Sequence, residues 1–190
     1  MRIIGGTSRG RQLAGPTSPG VRPTAGQVKE ALFNILSDRI RDARFLDLFA
    51  GTGPIGIEAL SRGAKHATFV ESSQAVCRVL RHNIRACGYE HRAEVRSVPV
   101  ARFLKQRSTQ EDQAYDVVFL DPPYHAEEGK KVLPSLGAGV IIRPNGVVVI
   151  EHFHKTHLAE RIGHLILGKT YRYGDTCLSV YQRAPAEDMA

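Results

Sequence analysis

Asp121, Pro122, Pro123 and Tyr124 follow the apolar run Val117-Val118-Phe119-Leu120, and a carboxylate at such a strand end can do defined chemistry. The Asp121 carboxylate and the Pro122 carbonyl can accept the two hydrogens of an exocyclic base amine, while the Tyr124 ring lies against the base. An aromatic amine is a poor nucleophile because its lone pair is delocalised into the ring. Two acceptors draw density from its N–H bonds and aim the lone pair at an electrophile, so alignment and charge placement supply most of the rate. Pro122 and Pro123 stiffen the loop and remove backbone donors that would compete for those acceptors. The chemistry implied is methylation of an amino group on a flat ring, with the base swung out of its helix or presented from a loop. An ordinary turn after a strand is the plain alternative, and the position of the tetrapeptide in the order of elements weighs against it.

A second element, Asp47-Leu48-Phe49-Ala50-Gly51-Thr52-Gly53, continues into Pro54-Ile55-Gly56 and so satisfies G-x-G-x-x-G between a strand and a helix. Glu71 falls 20 residues after Gly51. By spacing alone this could be a dinucleotide fingerprint, with Glu71 on ribose hydroxyls. Charge argues otherwise, because a pyrophosphate at the glycine turn would meet the Asp47 carboxylate at the end of the same strand, at a cost of order kcal/mol. S-adenosylmethionine carries an ammonium and a sulfonium, no phosphate, and ribose hydroxyls that Glu71 can accept from. Asp47, Phe49, Ala50, Gly51, Thr52, Gly53 and Glu71 are therefore the candidate donor-binding residues. The glycines let the backbone approach the ligand, and Pro54 in the first helical turn loses no intrahelical hydrogen bond.

The elements that must position these residues alternate. Strands are expected at 44–49, 67–71, 93–97, 116–120 and 146–151, and helices at 53–62, 73–87, 100–107, 127–136 and 155–162. Such βα alternation predicts a parallel sheet covered on both faces, with ligands along the carboxyl ends of its strands. In that sheet the fourth strand ends beside the first, so donor and acceptor elements are expected to face one cleft. Ahead of them Val28, Ala31, Leu32, Ile35 and Leu36 recur at helical spacing with Thr24 as N-cap. Behind them 169–173 and 177–182, joined by Gly174-Asp175-Thr176, read as a hairpin on the sheet edge. The expected division is a basic extension over 1–23, a catalytic domain over 24–186 and a tail over 187–190.

Charge is unevenly spread. The formal net charge is +7, of which residues 1–29 carry +5, because Arg2, Arg9, Arg11, Arg22 and Lys29 all precede the first acid, Glu30. A concentrated basic arm suits a phosphate backbone, since each neutralised phosphate releases counterions; a solvated tail is the bland alternative. Ile3-Ile4 and Gln12-Leu13-Ala14 are expected to pair as a small hairpin within this arm. Hydrophobic content of 42% and charged content of 24% fit a soluble globular chain of one domain. No apolar run reaches bilayer length and the N-terminus lacks a signal-like apolar core, so a cytoplasmic location is expected. Cys77, Cys87 and Cys177 show no paired spacing and read as small buried thiols. His152, His154 and His157 lie close in sequence without further ligands of the right type, and no metal is expected. Arg78, Arg81, His82 and Arg85 share one helix face opposite Val76, Val79, Leu80 and Ile84, and read as a solvated outer face.

Over nearly its whole length the chain resembles the RsmD family of bacterial 16S ribosomal RNA guanine(966)-N(2) methyltransferases. The resemblance rests on Met1-Arg2-Ile3-Ile4-Gly5-Gly6, on Arg22-Pro23-Thr24 followed by Val28-Lys29-Glu30-Ala31-Leu32-Phe33-Asn34-Ile35-Leu36, on the donor motif, on the D-P-P-Y tetrapeptide and on Tyr173-Gly174-Asp175-Thr176. It implies a class I S-adenosylmethionine-dependent methyltransferase fold, Rossmann-like, with a mostly parallel sheet, a C-terminal antiparallel hairpin and a small N-terminal β-hairpin extension that assists RNA binding. Asp47, Gly51, Gly53 and Glu71 would hold the donor, residues 121–124 the guanine amine, and Arg2, Arg9, Arg11, Arg22, Thr24 and Lys29 the RNA. Where many relatives carry an acid after the third strand this chain has Arg96-Ser97-Val98-Pro99-Val100, which moves adenine recognition to backbone groups around Val98. The expected substrate is 16S rRNA within a small-subunit particle, met by a monomer with no membrane partner. Three rivals remain: an adenine-amine DNA methyltransferase, for whose target recognition the chain has little room, an NAD-dependent oxidoreductase, and a non-enzymatic RNA-binding module.

Overall fold

Phe45, Leu46 and Leu48 form an apolar run interrupted only by Asp47, and all four are buried, as in a strand covered on both faces. This is β1 (Arg44–Leu48); β2 (His66–Val70) and β3 (Ala93–Arg96) lie parallel to it in the order β3-β2-β1. The computed structural model describes residues 1–15, 26–107, 114–122 and 128–184, and the chain forms two compact units, Met1–Pro99 and Val100–Ala190.

Among the described residues the first unit also holds three α-helices and two single 3-10 turns, Ser37–Ile40 and Glu90–Arg92. The α1 helix (Gly26–Leu36) buries Val28, Leu32 and Leu36 as the spacing predicts, but Ala31 and Ile35 are only half-buried and the buried face turns instead towards Lys29 and Phe33; its expected cap, Thr24, lies outside the described residues. The α2 helix (Pro54–Ser61) is buried at every position after Pro54. The α3 helix (Gln74–Ala86) buries Cys77, Leu80, Asn83 and Ile84. Its N-cap, Ser73, accepts a hydrogen bond from the Val76 amide at 3.4 Å, a contact type that contributes about 1 kcal/mol.

The second unit holds α4 (Val100–Arg107), β4 (Tyr115–Leu120), α5 (Glu128–Ala138), β5 (Ile142–Phe153), β6 (Arg161–Ile162), β7 (Leu165–Tyr173) and β8 (Thr176–Arg183). β4 and β5 are parallel, and β5, β8, β7 and β6 follow as antiparallel neighbours. The predicted terminal hairpin is present and longer than its sequence signal. Two expectations change here. β5 starts well before residue 146, because Ile142 pairs with Tyr115 and the register then shifts around Asn145, held at φ 63. The helix expected over 155–162 does not form. Thr156 donates to the Phe153 carbonyl in a turn, Leu167 donates to the Glu160 carbonyl, and Arg161 and Ile162 pair with Ile166 and Leu165. Strand pairing on an available edge overrides a short local helical pattern.

The N-terminal arm is a built part of the first unit. Arg2 and Gln12 form an antiparallel bridge, and the Ile3 and Leu13 amides donate to the Arg11 and Met1 carbonyls at 3.0 and 2.8 Å, so the predicted hairpin is present. It is fastened to Glu58 of α2, which is fully buried. That carboxylate accepts from the Ile4 and Gly5 amides at 2.9 and 2.7 Å and pairs with Arg62 at 2.9 Å and Lys29 at 3.0 Å. Lys29 must therefore be withdrawn from the candidate RNA contacts: it is only 5% exposed, and its ammonium also donates to the Arg2 carbonyl at 2.5 Å. A lysine buried among such partners is a structural counter-ion, since an unpaired charge in that place would be strongly unfavourable.

Breaking a buried pair from one side leaves the other charge uncompensated, at about 3–5 kcal/mol. Glu58→Gln should lower the unfolding free energy by about that much in urea titrations and open the arm to proteolysis. A loss below about 1 kcal/mol, the range of an exposed ion pair, would show that Glu58 does not organise the arm.

Candidate functional site

After Leu48 the chain turns sharply, with Phe49, Gly51 and Gly53 at φ of 62, 55 and 85 before α2 begins. The left-handed region suits glycine, and a phenylalanine held there stores roughly 1–3 kcal/mol of strain of the kind concentrated at ligand sites. The turn is held by carboxylates. Glu71 accepts from the Gly51 amide at 3.1 Å and from the Ser73 amide at 2.7 Å, while buried Asp47 accepts from the Gly56 amide at 2.9 Å. The Ala50 amide donates to the Val70 carbonyl at 3.0 Å. Asp47, the 49–53 turn and Glu71 thus come together as the spacing predicts.

Their arrangement discriminates between ligand charges. In a dinucleotide site the turn amides and the first turn of the helix face a pyrophosphate. Here the Gly51 and Gly56 amides already face the carboxylates of Glu71 and Asp47, so an anion would meet like charge. A cationic or neutral ligand meets a favourable field, and a carboxylate has lone pairs left after one or two backbone bonds. Two glycines permit the packing. A Cβ on Gly53 would lie 2.3 Å from Leu80 Cδ1, and one on Gly56 would lie 2.3 Å from Phe69 Cε1.

Sequence reasoning missed Asn83. Its side-chain amide donates to the Thr52 and Ala14 carbonyls, both at 3.0 Å, and its oxygen accepts from the Ala14 amide at 2.8 Å. One buried side chain therefore ties the glycine turn, α3 and the arm. The available signal was a polar residue three positions after Leu80, on the buried face of an otherwise apolar stripe. Val98 is half-buried in the loop after β3, where the neighbouring Ser97 hydroxyl donates to the Cys77 thiol at 3.3 Å.

On the second unit, β4 is buried through Leu120 and delivers Asp121 and Pro122 half-buried at its carboxyl end. Burial disfavours the charged carboxylate and raises the Asp121 carboxyl from 3.8 to about 6. Pro123 and Tyr124 lie outside the described residues. So do Arg22 and Thr24, whereas Arg2, Arg9 and Arg11 are exposed. The Arg11 guanidinium donates to the Ala86 carbonyl at the end of α3, where a cation also complements the helix dipole. His152, on β5, contacts the Ser179 hydroxyl at 2.8 Å, which in turn contacts the Thr170 hydroxyl at 2.7 Å, and His154, just after β5, lies 3.5 Å from Asp175.

The chain matches known proteins over most of its length. The family model described as conserved hypothetical protein 95 matches residues 1–182. Ribosomal RNA small subunit methyltransferase D of Haemophilus influenzae is 42% identical over 153 residues, covering 80% of this chain and 78% of that protein. The solved structure of yhhF from Escherichia coli is 33% identical with a TM-score of 0.84, covering 97% of this chain and 98% of that one. An RNA methyltransferase from Salinibacter ruber, solved with S-adenosyl-L-homocysteine, is 18% identical with a TM-score of 0.66 over 86% of this chain and 94% of that one, a likeness of fold. With a family model over residues 1–182 and a 42% identical relative matched across 80% of this chain, the chain has a class I methyltransferase fold and belongs to the RsmD family.

Proposed function

We propose that this chain transfers a methyl group from S-adenosylmethionine to the exocyclic N(2) amine of a guanine in 16S rRNA, the base being presented by a small-subunit particle. The observation that carries the reading is Asp121, a half-buried carboxyl raised to about 6 at the end of β4 and followed by Pro122. An amine-binding carboxylate needs to be desolvated enough to bind firmly and still be ionised near neutral pH, and a value of about 6 satisfies both. The carboxylates on the glycine turn support a cationic donor in place of a dinucleotide. The relatives named as rRNA methyltransferases support RNA as the acceptor.

When bound, S-adenosylmethionine supplies a methyl carbon made electrophilic by its sulfonium. The residues that would hold it are Asp47, Phe49, Ala50, Gly51, Thr52, Gly53 and Glu71, with backbone around Val98 beside the adenine. On the acceptor side, Asp121 and the Pro122 carbonyl accept hydrogen bonds from the two amine hydrogens and fix the direction of the lone pair, while Tyr124 stacks on the base; as the N–C bond forms and the S–C bond breaks, the one proton the amine loses passes to the Asp121 carboxylate. Rate comes from this orientation and from charges already in place, because no covalent intermediate with the protein is required.

Incubating the protein with labelled donor and unmodified small-subunit RNA or particles should place the label on one guanine; label on an adenine, or none, would overturn the acceptor assignment. Asp121→Ala should lower methyl transfer by about 10²-fold or more with RNA affinity unchanged, whereas a non-enzymatic RNA-binding module predicts unaltered function.

The pH profile has a defined sign. The ionised Asp121 is the stronger acceptor for its amine hydrogen and cannot act as a competing donor, so kcat/KM for the donor should rise with pH and level off above about 6. The kcat profile should break at lower pH, since a bound cation favours the carboxylate. A profile flat from pH 5 to 8, on the order of three units across the expected break, would remove Asp121 from this role.

Gly53→Ala forces a Cβ against Leu80 in a left-handed turn. It should weaken donor binding about tenfold or more by calorimetry, one decade corresponding to roughly 1.4 kcal/mol. NADH should give no binding heat with the unsubstituted protein.

A further inference from the structure

The α3 helix contains no acidic residue. Arg78, Arg81, His82 and Arg85 are all exposed along its outer side, and among the described residues none of the four makes an ion pair or a side-chain hydrogen bond. Three other cations of the same unit are matched, Lys29 and Arg62 by Glu58 and Arg96 by Glu94 at 2.7 Å, whereas the α3 stripe has no acid on its own helix. Like charges three and four residues apart on a helix repel, so this stripe is a standing cost in the free protein.

Its course is informative. α3 starts directly after Ser73, whose amide is bonded to Glu71 of the donor turn, and ends at Ala86, whose carbonyl receives the exposed Arg11 of the arm. Arg78, Arg81 and Arg85 therefore step down the helix at about 5 Å intervals, from the donor end towards the arm's own cations. Beside the last two lies a groove of about 290 Å³ lined by Arg81, Ile84, Arg85, Glu90, Ala93 and Val95. Its floor is apolar and Glu90 is its one acid. A ribose or an unpaired base can lie on such a floor while phosphates meet the flanking guanidiniums.

From these observations we infer that the acid-free face of α3, continued by Arg11, is a contact surface for the phosphate backbone of single-stranded RNA, binding a stretch of the substrate away from the reacting base. The inference rests on the function proposed above. These residues are positioning cations: they hold RNA and leave the chemistry to Asp121.

The test is the salt dependence of binding to an unmodified small-subunit rRNA fragment, using the full chain with Arg78, Arg81 and Arg85 all changed to Ala. On a single strand each lost phosphate contact lowers the slope of log affinity against log salt by about 0.7, so the slope should fall by about 2. The RNA Kd should rise at least tenfold at physiological salt. Donor binding by calorimetry and kcat at saturating RNA should be unchanged, which also reports that the variant is folded. A control chain with Arg102, Lys155 and Arg161 changed to Ala loses the same charge from other exposed sites. Equal losses in the two chains would reduce the effect to net charge and overturn the inference, as would an unaltered slope in the α3 variant. If the unsubstituted protein modifies guanine while the α3 variant binds RNA normally, only the inference fails. If the unsubstituted protein does not bind the fragment at all, the acceptor assignment fails and the inference falls with it.

Discussion

Two carboxylates occupy the backbone amides of the glycine turn, and the ligand chemistry of the first unit depends on that choice of partner. A strand-turn-helix with three glycines is a general device for bringing backbone close to a ligand, and in dinucleotide folds its free amides select an anion. Here Asp47 on the Gly56 amide and Glu71 on the Gly51 amide reverse the sign of the field without altering the backbone plan. Under the proposed function the same G-x-G-x-x-G spacing serves a cationic ligand, with Asp47 and Glu71 on amides that a dinucleotide site leaves to its phosphates. Strain at Phe49, close packing at Gly53 and Gly56, and the Asn83 clasp on Thr52 are what hold the turn in the shape that this exchange requires.

The arm shows the same economy with a buried charge. Glu58 is a carboxylate in a helix otherwise packed on all sides, and its desolvation is offset by two amides and two cations. One partner is Lys29, another is the backbone that leads to Arg9 and Arg11. Removing positive charge from the surface at Lys29 thus fixes the hairpin that displays the remaining arginines. The described part of the basic extension, residues 1–15, is a packed edge of the unit because one acid beneath it must be satisfied.

How much could be read beforehand follows from which interactions are local. The β1 turn, α1 and the βα order were legible because burial on both faces, 3.6-residue spacing and turn glycines all act within a few residues. So was the arm hairpin, through Ile3 and Leu13. What escaped was long-range. Lys29 counted as a surface cation because its partner lies 29 residues on, in another helix. Asn83 looked like one more polar helix residue until Ala14 and Thr52 were found beside it. The helix expected over 155–162 failed for a local reason instead, since the chain reverses at Gly163, held at φ 57, and Arg161 and Ile162 pair with Ile166 and Leu165. Each long-range miss involves a polar group whose partner the fold supplies.

Asp121 and the turn carboxylates also place opposite demands on charge. Burial at the end of β4 pushes Asp121 towards its neutral form, in which one oxygen becomes a donor and can no longer accept from an amine. Under the proposed reaction, the cation that the glycine turn admits is the same charge that favours the ionised Asp121. An acceptor carboxyl poised near neutrality would then be least competent when no donor is present and most competent when one is. A permanently ionised, well-solvated aspartate would hold the amine less firmly at all times. Under that proposal, the desolvation that raises the Asp121 carboxyl would make amine binding depend on the presence of the donor.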